Sequence, residues 1–354
     1  MATAPAMNPA MMAIGSIGNA INAYQDRRAA ERMGQMQTEQ LRQSIANAAR
    51  NRTDRIAWDS ASLAEQIARD RQNLEIAKAD QDANLARIDA CLAQGISTFD
   101  HADIYGDYSC EELFGQAIKA RPSLKDSIEI VTKTDIMLLS GKWPDTRVKH
   151  YDTSPAHVKA SVDRSLSRIG VDVIDLLLIH RPDPVMDAQA LGACLDQLID
   201  SGKLRGVGVS NFMPWDVDLL QSCMKHKLQT NQIELSLLHT APFINGQIAH
   251  AHQHRMPVMA WSPLGGGRLH TQATQSGTAA ARLAPRLEAL AHAAGTDTTA
   301  VAMAWLMHHP VGVLPVMGSN QMERIQRFAD AARVPMDRQT WFELYELANG
   351  HEVP

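Results

Sequence analysis

The chain has 354 residues, 45% of them hydrophobic and 21% charged, which suits two domains or one large barrel with an appendage and excludes wholesale disorder. A formal net charge of -5 supplies no basic field for a phosphate backbone, so nucleic acid is not an expected partner. Cys91, Cys110, Cys194 and Cys223 lie far apart with no CxxC pair, which argues against a disulfide framework or a cysteine zinc site and fits a reducing compartment. No stretch is apolar enough to span a bilayer, and the uncharged first 25 residues lack the basic start and dense apolar core of a secretory signal. A soluble, cytoplasmic protein is expected.

In chain order, the first feature is a run without breakers. Residues 35–94 hold neither Gly nor Pro and are rich in Ala, Arg, Gln and Glu, which predicts one long helix or a broken pair. A single helix of that length would reach roughly 90 Å. Ile45, Ile56 and Ile67 recur every eleven residues, as do Leu63, Leu74 and Leu85, and Ala46, Ala57, Ala68 and Ala79 follow the first track. Eleven residues make three turns, so the stripe stays nearly straight along the helix. Self-association through it and packing on its own domain both remain open. The segment, with its start AMMAIGSIGNAINAY, also resembles in composition the helical internal or ejection proteins of tailed phages.

Beyond Gly95 the pattern changes. Strands are predicted over residues 96–100, 129–134, 173–180, 205–211, 230–236, 257–264 and 311–318. Helices are predicted over 82–94, 109–120, 155–169, 188–201 and 298–309. Alternating βα units imply a parallel sheet under helices, and this many suggest a (β/α)8 TIM-type barrel, although seven strands are found rather than eight. Two parts follow: a helical extension over 1–80 and a barrel over 81–354.

In such barrels the reactive groups stand at the C-terminal ends of strands. Here those ends carry Asp100 and Tyr105 (FDHADIYG), Lys133 (IVTKT), His180 (LLLIHRPD), Ser210 and Asn211 (GVGVSNF), Gln232 (NQIELS), Trp261 and Ser262 (MAWSPLGGG), and Ser319 and Arg324 (VMGSNQMERI). Taken singly, a lysine there is a solvated cap and a histidine a satisfied core group. Together, Asp100, Tyr105, Lys133 and His180 make an acid–base device. A free tyrosine titrates near ~10, and an adjacent ammonium should lower that value while a carboxylate holds the ammonium charged.

Carried by these motifs and by DRSLSRIGVDVIDLLLIHRPDP, all in family order, residues 82–340 resemble the aldo-keto reductases, and DHADIYG with AWSPLGGG resembles a bacterial oxidoreductase branch of that family. The resemblance implies NADPH (NADP+) as hydride donor to a small-molecule aldehyde or ketone. Tyr105 would then be the general acid, Lys133 its tuning residue, Asp100 the carboxylate paired to that lysine and His180 the group orienting the carbonyl. It implies cofactor contacts at Ser210, Asn211, Gln232 and Trp261 for the nicotinamide, and at Ser262, Leu264, Gly266 and Arg268 for the pyrophosphate region. Gly318, Ser319 and Arg324 fall at the adenosine-phosphate end, where the family often places a lysine at the position of Gly318.

His250, His252 and His254 form an HxHxH run, and on a helix His250 and His254 would share a face. A helical pair lacks the further ligands of a zinc site, so no metal is expected. The resemblance breaks upstream. The family's first strand, with its Gly-rich turn, should precede residue 82, where EQIARDRQNLEIAKAD reads as helix. A missing strand would leave 96–100 and 311–318 as unpaired edges. The intact tetrad favours a working reductase. The absent strand favours an impaired barrel fused to a structural or virion-associated segment, or a chimeric reading frame.

Overall fold

The computed structural model describes residues 81–354 together with the two-residue strand Met12–Ala13. The expected helix of 35–94 is seen only in its last part, as a helix over 81–92. The eleven-residue stripe apart from Leu85, its association surface and the phage-like composition lie outside the described residues.

Eight parallel strands close into a ring: β1 (Met12–Ala13), β2 (Thr98–Asp100), β3 (Glu129–Thr134), β6 (Leu176–Ile179), β7 (Val207–Ser210), β8 (Asn231–Glu234), β9 (Val258–Trp261) and β10 (Val313–Met317). The order around the ring is β1-β10-β9-β8-β7-β6-β3-β2. A short antiparallel pair, β4 (Ile136–Met137) with β5 (His150–Tyr151), lies outside it and was not anticipated. The strands β6, β7 and β10 are buried at every residue, because side chains fill one face and helices cover the other.

The missing strand is the main correction to the sequence reading. Met12 pairs with Val316, and Ala13 pairs with both Met317 and Phe99, so β1 fills the gap between β10 and β2. The edges expected at 96–100 and 311–318 are therefore both paired. A slot one strand wide demands backbone donors and acceptors on two sides and no particular side-chain pattern. Two residues inside a small-residue stretch can meet that demand without a Gly-rich turn or an alternating run to announce them.

Side-chain alternation then sets the site. Val131, Leu176, Leu178, Met259, Leu314 and Val316 form a cluster separate from the main core. Leu177 and Ile179 pack instead within the larger cluster shared with the helices. Successive strand residues point to opposite faces, so Lys133, two residues beyond Val131, rises from the same interior face. The helix over 81–92 buries Ile88 and Cys91 and reaches the far end of the chain, where Gln94 Nε2 donates to the Ile325 carbonyl at 2.6 Å. The helix Thr298–Met307, buried from Ala300 to Leu306, is sealed by the helix Arg338–Asn349. The stacked rings of Trp305 and Trp341, 4.9 Å apart, mark that contact.

Candidate active site

Lys133 is fully buried, and burial by itself disfavours a charged ammonium. Three acceptors offset that cost, one for each ammonium hydrogen: Asp100 Oδ2 at 2.7 Å, the His101 carbonyl at 2.8 Å and the Tyr105 hydroxyl at 3.2 Å. Asp100 and Tyr105 outweigh burial and raise the lysine above its ordinary value. Asp100, only 2% exposed, accepts a second bond from Gln232 Nε2 at 3.1 Å, which holds the carboxylate in place.

Tyr105 opens a short turn, Tyr105–Tyr108, in which Gly106, Asp107 and Tyr108 take left-handed backbone. That kink brings the phenol over Lys133. The pKa of the phenol runs opposite to the sequence expectation: burial raises it above 10.0, and Asp100 adds to the rise while Lys133 pulls the other way. Asp100 offsets the field of the charged lysine, so its pull on the phenol is weaker than the cost of desolvating a tyrosinate. The hydroxyl therefore stays protonated, the form a proton donor needs. His180 stands edge-on to Tyr105 with ring centroids 6.1 Å apart, and its Nδ1 has no hydrogen-bond partner among the described residues. Burial, together with Lys133 and Arg181, holds its pKa well below 6.5 and keeps the imidazole neutral.

A hydrogen-bond chain ties the other strand ends to this centre. Trp261 Nε1 donates to Asn211 Oδ1 at 2.8 Å, and Asn211 Nδ2 donates to Ser210 Oγ at 2.9 Å and to the His180 carbonyl at 3.2 Å. Ser210 Oγ in turn donates to the Gln232 carbonyl at 2.9 Å. Asn211 and Ser262 have positive φ, 62° and 50°, so each strand turns sharply just after its last residue and exposes polar groups at the rim.

Above lies a cavity of about 490 Å³. Of the sequence-predicted residues, Asp100, Tyr105, His180, Ser210, Asn211, Gln232, Trp261, Ser262, Leu264, Gly266, Gly318, Ser319 and Arg324 line it. Lys133 lies beneath, reaching the cavity through Tyr105. Trp261 is a rim residue and not a core tryptophan, with the Arg181 guanidinium 5.9 Å from its ring centre. Arg268 is the exception: its Nε donates to the Gly265 carbonyl at 2.8 Å, so it braces the glycine turn and is not among the lining residues.

Sequence reasoning missed Arg181, His270, Thr299 and Phe328, which also line the cavity. Arg181 follows His180 directly and could have been found from strand-end position. His270 and Thr299, 3.3 Å apart, come from segments without a strand-end signal. Arg324 is exposed and makes no ion pair among the described residues, which leaves its guanidinium available at the mouth.

Comparison with known proteins identifies the family. The sequence pattern described as the Aldo/keto reductase family matches residues 70–349. A 6-dehydroglucose reductase of Agrobacterium fabrum is 55% identical over 268 residues, covering 76% of this chain and 88% of the relative. An uncharacterized oxidoreductase of Bacillus subtilis, YcsN, is 42% identical over 270 residues, covering 76% and 89%. An aldo-keto reductase from Klebsiella pneumoniae, solved in complex with NADPH, is 26% identical with a TM-score of 0.63, covering 78% of this chain and 87% of that one. With a closed parallel barrel, a buried Asp–Lys–Tyr cluster and a family match over most of its length, the chain belongs to the aldo/keto reductase family of oxidoreductases.

Proposed function

We propose that this protein reduces the carbonyl of a polar, sugar-like aldehyde with NADPH, Tyr105 delivering the proton. The observation that carries the proposal is the Lys133 ammonium bonded at once to Asp100, to a backbone carbonyl and to the Tyr105 hydroxyl. The cavity's volume lies within the usual range for ligand sites, and it runs from Tyr105 to Arg324. Ser210, Asn211, Gln232 and Trp261 would hold the nicotinamide end, while Ser319 and Arg324 would hold the phosphate end. When bound, the cofactor supplies a hydride to the carbonyl carbon.

The residues of this chain handle the proton. Tyr105 donates its hydroxyl hydrogen to the carbonyl oxygen as negative charge develops there. Lys133 then stabilises the phenolate left behind, and Asp100 and the His101 carbonyl keep the ammonium from moving. The neutral imidazole of His180 offers an N–H to the same oxygen and fixes its orientation. The sugar-like character rests on the 55% identity to the 6-dehydroglucose reductase of Agrobacterium fabrum and on a second relative of that name, 38% identical, from Novosphingobium aromaticivorans. Arg181, beside His180 at the rim, adds a hydroxyl-binding cation.

Two measurements test this reading. Tyr105→Phe should lower kcat by about 10²–10⁴ while NADPH affinity, read by fluorescence titration, changes less than about twofold. Parallel loss of both would make Tyr105 a cofactor or fold residue. With 6-dehydroglucose as substrate, NADPH should be consumed at a higher kcat/KM than with an unsubstituted aliphatic aldehyde of similar length. The reverse preference would remove the sugar assignment.

A further inference from the structure

On the outer surface, away from the cavity, the helix Gln247–Gln253 carries His250, with His254 as its C-terminal cap. The two rings lie one above the other, 4.4 Å between centroids. The pair by itself is two ligands short of a tetrahedral centre. The fold supplies another: Asp218, from the neighbouring helix Pro214–Ser222, places Oδ1 2.8 Å from His250 Nε2 and 3.8 Å from His254 Nε2. All three potential ligand atoms lie within 4.8 Å of one another. We propose that Asp218, His250 and His254 form a binding site for a divalent transition-metal ion of the zinc class, which clamps these two helices together.

The geometry suits such an ion. Ligand bonds of about 2.0–2.1 Å at tetrahedral angles place ligand atoms ~3.3 Å apart, and the two observed separations fall on either side of that value. Two imidazoles and one carboxylate suit zinc, cobalt or nickel better than calcium or magnesium, which prefer all-oxygen shells. The ligands are mounted firmly. His250 is mostly covered, and Lys227 Nζ holds the His254 carbonyl at 2.6 Å, which fixes the helix end that presents the second imidazole. In the metal-free form His250 and Asp218 share a hydrogen bond. For Nε2 to take the metal, the hydrogen that the neutral imidazole shares with Asp218 moves to Nδ1 by solvent exchange, and water completes the coordination. The site is remote from the tetrad, so it binds metal without entering the reaction.

Cobalt(II) titration of the full-length protein, freed of chelator, reads the site directly through visible absorption of a low-symmetry cobalt centre. One saturating equivalent per chain, with zinc displacing cobalt and raising Tm, is expected. His254→Ala and Asp218→Asn should each weaken cobalt binding at least tenfold while leaving unliganded Tm within a few degrees, since both side chains are exposed. His252→Ala should bind as the unaltered chain does. No saturable cobalt signal, or equal loss with His252→Ala, overturns the proposal.

Discussion

Lys133 shows how much of this site is decided by counting hydrogens. Its ammonium has three, and the barrel provides three acceptors, so its charge is kept where an unpaired lysine would be neutral. Asp100, Tyr105, Lys133 and His180 were legible in the sequence because each follows an apolar β-branched run, and strand ends converge on one face of a barrel. The direction of the Tyr105 shift was not legible, since it depends on how completely the phenol is buried. At the other end of the cavity, Arg324 has no protein partner among the described residues. Arg324→Ala should therefore weaken NADPH by about 10- to 100-fold and NADH less than about threefold, because a charge-assisted bond to the 2′-phosphate exists only for the former. Equal weakening in paired titrations would show that Arg324 does not read that phosphate. Two further residues beside Tyr105 oppose one another with pH. Burial, aided by Glu111, raises the Asp103 carboxyl to about 7, and burial, aided by Lys133, lowers the His101 imidazole to about 3. Between about pH 4 and 7 folded Asp103 keeps a proton that the unfolded chain loses, so its contribution to stability falls as pH rises. His101 acts in the other direction below about pH 6.5, because there the unfolded chain binds the extra proton. Asp103→Asn keeps an acceptor for Ser161, which bonds it at 2.9 Å, and removes the buried charge. Its unfolding free energy should therefore gain steadily on that of the unaltered protein from pH 4 to 7, by a few kcal/mol in total. A constant difference across that range would contradict the raised carboxyl.

Among the elements, β1 decides whether the barrel is a ring or an open sheet. Its partners, β2 and β10, end at Asp100 and Met317, and both of those residues line the cavity. Deleting residues 1–20 should leave two unpaired edges and lower Tm by roughly 5–10 °C, on the basis of a few lost backbone hydrogen bonds. Turnover should fall more steeply than cofactor affinity, since a displacement of about 1 Å in Asp100 disturbs Lys133 and Tyr105, while the short helix Met322–Ile325 that carries Arg324 stays tied to Gln94 through the Ile325 carbonyl. Differential scanning and steady-state kinetics on the truncated chain check both; unchanged values would mean that β1 closes nothing of consequence. The strand escaped the sequence reading because two paired residues leave no periodic trace. The helices were plainer. Pro155–Ile169 and Ala188–Asp200 were anticipated within a residue, each marked by an N-cap, Ser154 and Asp187, whose side chain accepts from the backbone three residues on. The His250 and His254 pair was visible as a spacing, but its third neighbour, Asp218, lies on another helix and no spacing in the chain connects them.

At the scale of the whole molecule, layering explains both what was legible and what was not. A parallel barrel is buried on both faces, so its strands read as short apolar runs and its helices as amphipathic ones. That pattern, with the polar residues closing each run, was enough to read from the sequence alone a βα barrel with Asp100, Tyr105, Lys133 and His180 gathered at its strand ends. These are local properties: each needs only the residues of one strand and the turn that follows it. Contacts between distant segments were decided by the tertiary structure. The reciprocal bonds between Trp305 and Trp341, each Nε1 donating to the other's carbonyl at 3.0 Å, seal the C-terminal helix against the barrel. Arg268 bonds the Gly265 carbonyl, Gln232 reaches across the ring to Asp100, and Met12–Ala13 lies between the first and last strands of the barrel that follows. None of these is encoded in a spacing, because the partners are brought together only when the ring closes, and it is closure that buries the phenol, pairs the edges and sets the two helices of the proposed metal site side by side.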